Sequence, residues 1–137
     1  MLAFIQESIL GFPPFIIYFA ISATMLVAFT FIYLRITPYR EITLIKQGNT
    51  AAAASLSGTI LGFTLPLAHA VAQAANIVDM LIWGLIALVV QLVSYLIVRA
   101  LIPGIVKDIP EGKVAQGVFL GVVSIAAGLL NAACMTD

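Results

Sequence analysis

The sequence contains few charged residues, a single cysteine and no excess of basic over acidic side chains. Only 9% of its 137 residues are charged and 63% are hydrophobic, whereas roughly a quarter of the residues in a soluble domain are charged. This composition excludes a water-soluble fold. Because the net charge is zero, no basic surface is available for phosphates, and we expect no nucleic-acid partner. The lone Cys134 excludes an internal disulfide.

The sequence also lacks the motifs of catalytic, cofactor and metal sites. It has no phosphate-binding glycine loop, no nucleophile elbow and no cluster of His, Cys or carboxylate residues. We therefore predict that the protein is not an enzyme and that it uses no cofactor and no metal. The first residues carry no basic n-region and no small-residue cleavage site, so we expect them to belong to the mature protein.

Four long apolar stretches are present, and each is long enough to cross a bilayer. A membrane-spanning helix needs about 20 mostly apolar residues, because the hydrocarbon core is roughly 30 Å thick and each residue rises about 1.5 Å. A transmembrane barrel would need strands of alternating hydrophobicity, and these runs are continuous. The sequence predicts an all-α, polytopic helix bundle forming a single membrane domain, residues 1–137. Its predicted transmembrane helices are about 15–34, 50–75, 81–98 and 114–135.

The basic residues predict the orientation of these helices. All of them lie in or beside the segments that join the first helix to the second and the third to the fourth. Short loops rich in Lys and Arg remain in the cytoplasm, so we expect loops 36–49 and 100–113 to be cytoplasmic and both termini to be periplasmic. The basic residues are Arg35, Arg40, Lys46, Arg99, Lys107 and Lys113.

The two predicted loops differ in character. In the first, Pro38 stands near a possible helix start and Gly48 at a possible helix end, which predicts a short helix lying in the membrane interface. The second carries Pro103, Gly104 and Pro110, and we expect it to be irregular or broken.

An internal duplication is visible in the spacing of prolines and glycines. Arg35 and Pro38 recur as Arg99 and Pro103, and other glycines recur at a similar offset. Each half would cross the membrane twice and keep the same orientation, which predicts a parallel two-helix repeat. Its copies are about 13–76 and 80–137.

Several short motifs carry a family resemblance that spans nearly the whole chain. The sequence resembles the bacterial inner-membrane proteins of the YjfL type, which are built from two copies of domain of unknown function 350. The resemblance implies a four-span inner-membrane protein with no assigned activity, whose relatives stand beside phage-shock-type membrane-stress proteins and polyamine-biosynthesis homologues. In the second half, Lys113-Val114 replaces the motif's Asn-Thr, so we expect that helix to lack the cap. The motifs are Ile36-Thr37-Pro38, Leu44-Ile45-Lys46, Gly48-Asn49-Thr50-Ala51-Ala52, Ser57-Gly58-Thr59, Gly62, Pro66-Leu67 and Asn131-Ala132-Ala133-Cys134-Met135.

Small and polar residues form one stripe on the second transmembrane helix and another on the fourth, at spacings of three and four. Two interpretations remain open. The stripes are helix contacts, where small residues let backbones approach, or they line a polar route in which His69 acts as the titrating group. The second-helix stripe comprises Ser55, Thr59, Gly62, Pro66, His69 and Gln73, and the fourth-helix stripe comprises Gly117, Gly121, Ser124, Gly128 and Asn131.

These features predict an integral inner-membrane protein whose partners are the lipid bilayer, further copies of itself as a homo-oligomer, and a membrane-stress protein. We expect a structural or partner-binding component of the bacterial envelope, in membrane stress or maintenance. The alternative is a small ion or solute channel or transporter. Because four helices leave little room for a water-filled lumen, such a pore would need an oligomer.

Overall fold

The computed structural model describes residues 1–135, which form helices and turns without strands. This confirms the predicted all-α class, and four helical stretches in the described part are long and apolar enough to cross a membrane. The last two residues of the second predicted repeat, 136 and 137, lie outside the described part, and the repeat stays a prediction. The helices are α1 (Leu2–Leu10), α2 (Phe12–Ile36), α3 (Glu41–Lys46), α4 (Thr50–Gln73), α5 (Ile77–Leu101), α6 (Ile105–Asp108) and α7 (Val114–Cys134).

The first membrane helix is much longer than the predicted 15–34. Helices α1 and α2 follow each other almost without a break, and together they cover Leu2–Ile36, or 35 residues. Pro13 and Pro14 occupy the first turn of α2, where a missing N–H is tolerated. They do not end the preceding helix, because Gly11 keeps a right-handed helical backbone (φ −76°, ψ −12°).

Helix α2 joins the bundle through aromatic side chains in its second half. Phe29 stacks on Phe63 of α4 with ring centroids 4.2 Å apart, and Tyr33 meets Tyr95 of α5 edge to face at 5.5 Å. Such pairs contribute about 0.5–1.5 kcal/mol beyond the burial of their area. Most other large side chains of α2 are exposed, as expected for a helix that faces lipid.

The centre of the bundle is α4, which packs most closely against α7. The helix continues through Pro66 to Gln73 and ends where Ala74 turns to an extended backbone. Asn76 then begins α5, and its side-chain oxygen accepts a hydrogen bond from the backbone N–H of Asp79 at 2.9 Å. Helix α5 runs on to Leu101, past the predicted end, because Arg99 in its last turn can extend its charge towards the interface.

The connections α2–α4 and α5–α7 both lie at one end of the bundle, called the basic end here because it carries the six basic residues. The first contains α3, which confirms the predicted short helix. The second was expected to be irregular or broken, and it contains one helical turn, α6, between two turn segments. Each connection ends in a glycine with a left-handed backbone, Gly48 at φ +84° and Gly112 at φ +81°, a conformation that favours glycine.

Candidate functional site

The predicted stripes of α4 and α7 face each other and bring the two backbones into contact. A Cβ atom added to Gly121 would lie 2.5 Å from the carbonyl oxygen of Ala54, and one added to Gly128 would lie 2.7 Å from Cα of Gly62. A Cβ on Gly117 would come within 2.7 Å of Cα of Ala51. No side chain fits at these distances without a shift of the backbone. The contact is therefore a dry seam between helices of one chain.

Polar groups inside this seam are buried and largely satisfied. Thr59 Oγ1 donates to the carbonyl oxygen of Ser55 at 2.9 Å and lies 3.3 Å from Ser124 Oγ. Gln91 reaches in from α5, and its Nε2 donates to the carbonyl oxygen of Ser124 at 3.1 Å. Sequence reasoning did not select Gln91, although an amide in an otherwise apolar membrane helix is itself a signal.

The opposite end of the bundle, which we call the far end, holds the remaining members of the stripes. His69 Nε2 lies 2.6 Å from the carbonyl oxygen of Met135, and beside it is a small cavity of about 40 Å³ also lined by Gln73, Asp79 and Trp83. A volume of this size holds one or two water molecules. Asn131 is not among the residues that line the cavity.

A second polar cluster, which sequence reasoning missed, lies at the basic end. Glu41 is 1% exposed, Tyr33 0% and Tyr95 1%, and Tyr39 is also buried. Both carboxylate oxygens of Glu41 and the three tyrosine hydroxyls have no hydrogen-bond partner within residues 1–135. All three hydroxyls lie close enough to Glu41 to interact with its charge. We call these four residues the Glu41 cluster.

The local sequence explains how Glu41 is buried. It is the first residue of α3 and lies on the same face as Leu44 and Ile45, because residues three and four apart share one side of a helix. These two side chains pack against the core, whereas Ile42 points outwards and is 46% exposed. Sequence reasoning did not single out Glu41. The spacing from Glu41 to Leu44 and Ile45 was the signal that could have found it.

Neighbouring hydroxyls do not satisfy the cluster. Ser55 Oγ donates to the carbonyl oxygen of Ala52 at 3.1 Å, and Thr59 is engaged within α4. Thr37 Oγ1 is near the carboxyl but donates to the carbonyl oxygen of Leu34 at 3.3 Å. These hydroxyls are therefore engaged with backbone carbonyls, and the buried oxygens of the cluster stay without hydrogen-bond partners within residues 1–135.

Burial dominates the electrostatics of the cluster. It raises the pKa of Glu41 from 4.5 to about 7, an effect that the nearby Thr37 hydroxyl opposes. Burial also raises the pKa of Tyr39, and the charge of Glu41 adds to that rise. In the described part of the chain, the ion pair that forms is Lys113 to Asp108 at 3.3 Å. Glu41 has no basic partner there.

A surface groove at the basic end lies beside the cluster. Its volume is about 350 Å³, and Arg35 and Arg40 lie on its walls together with Tyr39 and Glu41. The carboxylate oxygens of Glu41 themselves are buried below it.

Comparison with known proteins places the chain in a family. Its sequence matches the family described as Domain of Unknown Function (DUF350) over residues 7–135. The chain belongs to this family. This membership confirms the resemblance seen in the motifs of both halves.

Two relatives show how widely the similarity extends. The chain is 44% identical to the UPF0719 inner membrane protein YjfL of Escherichia coli (strain K12) over 132 residues, which cover 96% of this chain and 98% of the relative. It is 30% identical to the UPF0719 transmembrane protein YshE of Bacillus subtilis (strain 168) over 118 residues, covering 85% of this chain and 88% of the relative. No solved structure matches. Together with the four apolar helices, these relatives identify an integral inner-membrane protein, and their names assign no activity.

Proposed function

We propose that the protein is a structural or partner-binding component of the bacterial envelope and that it works as a homo-oligomer. The observation that supports this is the excess length and lipid-facing surface of the helix Leu2–Ile36. The family resemblance adds the proposal that the role is in membrane stress or maintenance, with a membrane-stress protein as partner. The position of the six basic residues favours an orientation with both termini in the periplasm.

The helix Leu2–Ile36 is longer than one bilayer crossing requires. Its 35 residues extend about 52 Å, against a hydrocarbon core of roughly 30 Å. At the far end, Tyr18 and Ile21 pack against a small cluster of buried residues from the rest of the bundle. The residues before Tyr18 are mostly apolar and make few contacts within the chain. Exposed large side chains there are Leu2, Phe4, Ile5, Ile9, Leu10, Phe12, Phe15, Ile16 and Ile17.

A second copy of the chain is the occupant that this surface fits best. Ala20, Thr24 and Ala28 lie four residues apart and are exposed on one side of α2. Thr24 Oγ1 already donates to the carbonyl oxygen of Ala20 at 2.7 Å, so the hydroxyl needs no outside partner. In membranes, such small residues allow two helices to approach closely, and two long apolar helices would then cover each other along their length.

The alternative function, a channel or transporter, receives less support. Backbone contact along the seam of α4 and α7 leaves no space there for water or a solute. A polar route would therefore have to run between protomers rather than through one of them.

The test enlarges a small residue on the exposed face of α2. We expect Thr24→Leu to weaken self-association in lipid nanodiscs, because the larger side chain separates the helices. Native mass spectrometry measures the distribution of protomers, and thermal unfolding shows that the monomer fold is kept. Val93→Leu is the matched control, since Val93 is an exposed residue of α5. A monomeric wild-type protein, or equal assembly of both variants, contradicts the proposal.

A further inference from the structure

The Glu41 cluster has no role in the proposed assembly, yet it concentrates more unpaired polar atoms than any other place in residues 1–135. Five oxygens, two from Glu41 and one each from Tyr33, Tyr39 and Tyr95, lie in it without hydrogen-bond partners. They come from α2, α3, α5 and the segment between α2 and α3. A buried polar group without a partner costs roughly 1–3 kcal/mol, and more when it is charged. A bound ligand or a proton would supply partners to these oxygens and offset that cost.

The chemistry of these groups favours a cation. Carboxylate and hydroxyl oxygens are hard ligands and offer lone pairs to a cation. The negative charge of the carboxylate would repel an anion. One carboxylate balances a single positive charge. Sites for divalent cations such as Ca²⁺ instead use six to eight oxygens, several of them usually carboxylates.

Nearby basic side chains do not pair with the carboxylate. The charged and titratable groups around Glu41 are Tyr33 and Arg35 on α2, Tyr39 and Arg40 on the connection, and Tyr95 on α5. Arg99 of α5 lies beside the Tyr95 hydroxyl rather than beside Glu41. Arg35 lies over the ring of Phe31, 4.9 Å from its centroid, and Arg35, Arg40 and Arg99 are all exposed. In the described part of the chain, none of the three forms an ion pair with Glu41.

We propose that Glu41 and the tyrosine hydroxyls around it form a binding site for one small monovalent cation, a proton or Na⁺, that enters through the groove at the basic end. The bound cation neutralises the carboxylate and lets the hydroxyls point their oxygens at it. A proton achieves the same neutralisation by making the carboxyl a donor to one of the hydroxyls. The raised pKa of Glu41 agrees with a site that exchanges its cation near neutral pH.

The test follows the protonated carboxyl band of the full-length protein in liposomes by infrared spectroscopy. Titrations between about pH 5 and 9 are run in potassium buffer and in sodium buffer of equal ionic strength. We expect a band that titrates near neutral pH and is lost in Glu41→Gln. Glu111→Gln is the control, because Glu111 is an exposed carboxylate of the same end, and it should keep the band.

The two cations are distinguished by the effect of sodium. A midpoint that moves to lower pH in sodium buffer shows that Na⁺ competes with the proton, and an unmoved midpoint assigns the site to the proton alone. Either result supports a cation site. Titration of Glu41 at the pH of an ordinary solvated carboxyl overturns the proposal, as does a band that persists over the whole pH range.

A tyrosine variant separates binding from packing. Tyr95→Phe keeps the ring against Tyr33 and removes one hydroxyl from the cluster. Loss of a hydroxyl that accepts from the protonated carboxyl should lower the midpoint in potassium buffer by about one pH unit, whereas Tyr18→Phe at the far end should leave it unchanged. A Tyr95→Phe midpoint equal to that of the wild type means that the hydroxyl does not face the cation, and it contradicts the proposed site.

Discussion

The two connections at the basic end have similar backbones but carry different chemistry. In each, a short helix precedes a left-handed glycine, and the residue after that glycine donates its N–H to a carbonyl five residues earlier, Asn49 to Leu44 at 2.9 Å and Lys113 to Asp108 at 3.1 Å. The first residue of each short helix is buried, Glu41 in α3 and Ile105 in α6. An isoleucine at this place contributes to packing. A buried carboxyl at the corresponding place is desolvated without a partner within residues 1–135 to offset that cost, which supports the proposed cation site at Glu41.

The residues that start the following helices differ as well. Asn49 Oδ1 accepts from the N–H of Ala52 at 2.9 Å, which caps α4. Its Nδ2 donates to the carbonyl oxygen of Ile109 at 2.9 Å, so the same side chain ties the first connection to the second. Lys113 makes no side-chain cap for α7, as its departure from the family motif predicted. The first connection therefore contains both the buried carboxyl, Glu41, and the side chain that ties the two connections together, Asn49.

The largest effect is expected when a carboxyl is placed at the buried position of the second connection. Ile105 is completely buried in the core that also contains Tyr33 and Tyr95. Ile105→Glu should reduce the free energy of unfolding by about 3–5 kcal/mol, because a desolvated carboxyl there has no built partner. Denaturant unfolding in bicelles measures the loss.

Ile42→Glu is the matched control for that variant. It introduces the same side chain on the exposed face of α3, where water or headgroups solvate it, and it should change stability by less than about 1 kcal/mol. Equal losses in the two variants would mean that burial does not distinguish the two positions.

The second prediction uses pH to measure what Glu41 costs the fold. Its pKa is about 7 in the folded protein and 4.5 as a reference, so the folded state holds more protons between these values. Stability is then unaffected below about pH 4.5, falls as pH rises towards 7, and levels off above it, with a total loss of about 3 kcal/mol. Glu41→Gln should remove this slope in thermal unfolding scans. A wild-type curve that is flat or that rises over this interval contradicts the raised pKa.

The third prediction, with the smallest effect, compares the two helix starts. Asn49→Ala should lower the free energy of unfolding by about 1–2 kcal/mol, since it removes the cap of α4 and the bond to Ile109. Lys113→Ala removes only a half-exposed ion pair with Asp108 and should cost less than about 1 kcal/mol. Thermal unfolding of both variants at one pH makes the comparison, and a larger loss for Lys113→Ala would reverse it.

The sequence predicts the parts of this fold that depend on long patterns. Apolar length locates the four membrane helices, and the spacing of small residues locates the seam, because backbones approach only where side chains are absent. The helix ends were less accurate. Pro13 and Pro14 suggested a start, but proline in the first turn of one helix does not stop another helix from ending directly before it.

The Glu41 cluster could not be predicted in the same way. Helix α3 has six residues, too few for a periodic pattern to stand out, and a carboxylate beside Arg40 reads as part of a solvated face. Tyr33 and Tyr95 lie 62 residues apart in the sequence, and only the packing of α2 against α5 brings their rings into contact. Sequence reasoning missed the far-end cavity for the same reason, since the contact of His69 with Met135 depends on where α7 ends.

The seam between α4 and α7 also constrains how the chain is made in the cell. Helix α4 is the least apolar of the four membrane helices, and its closest partner, α7, is synthesised only after α5 and α6. Until α7 is synthesised, Ser55 and Thr59 bond only within their own helix, and the glycines of α4 face lipid or α5. Maturation of the first half therefore waits for the synthesis of α7, and a chain truncated before α7 should be recognised by membrane quality control as incomplete.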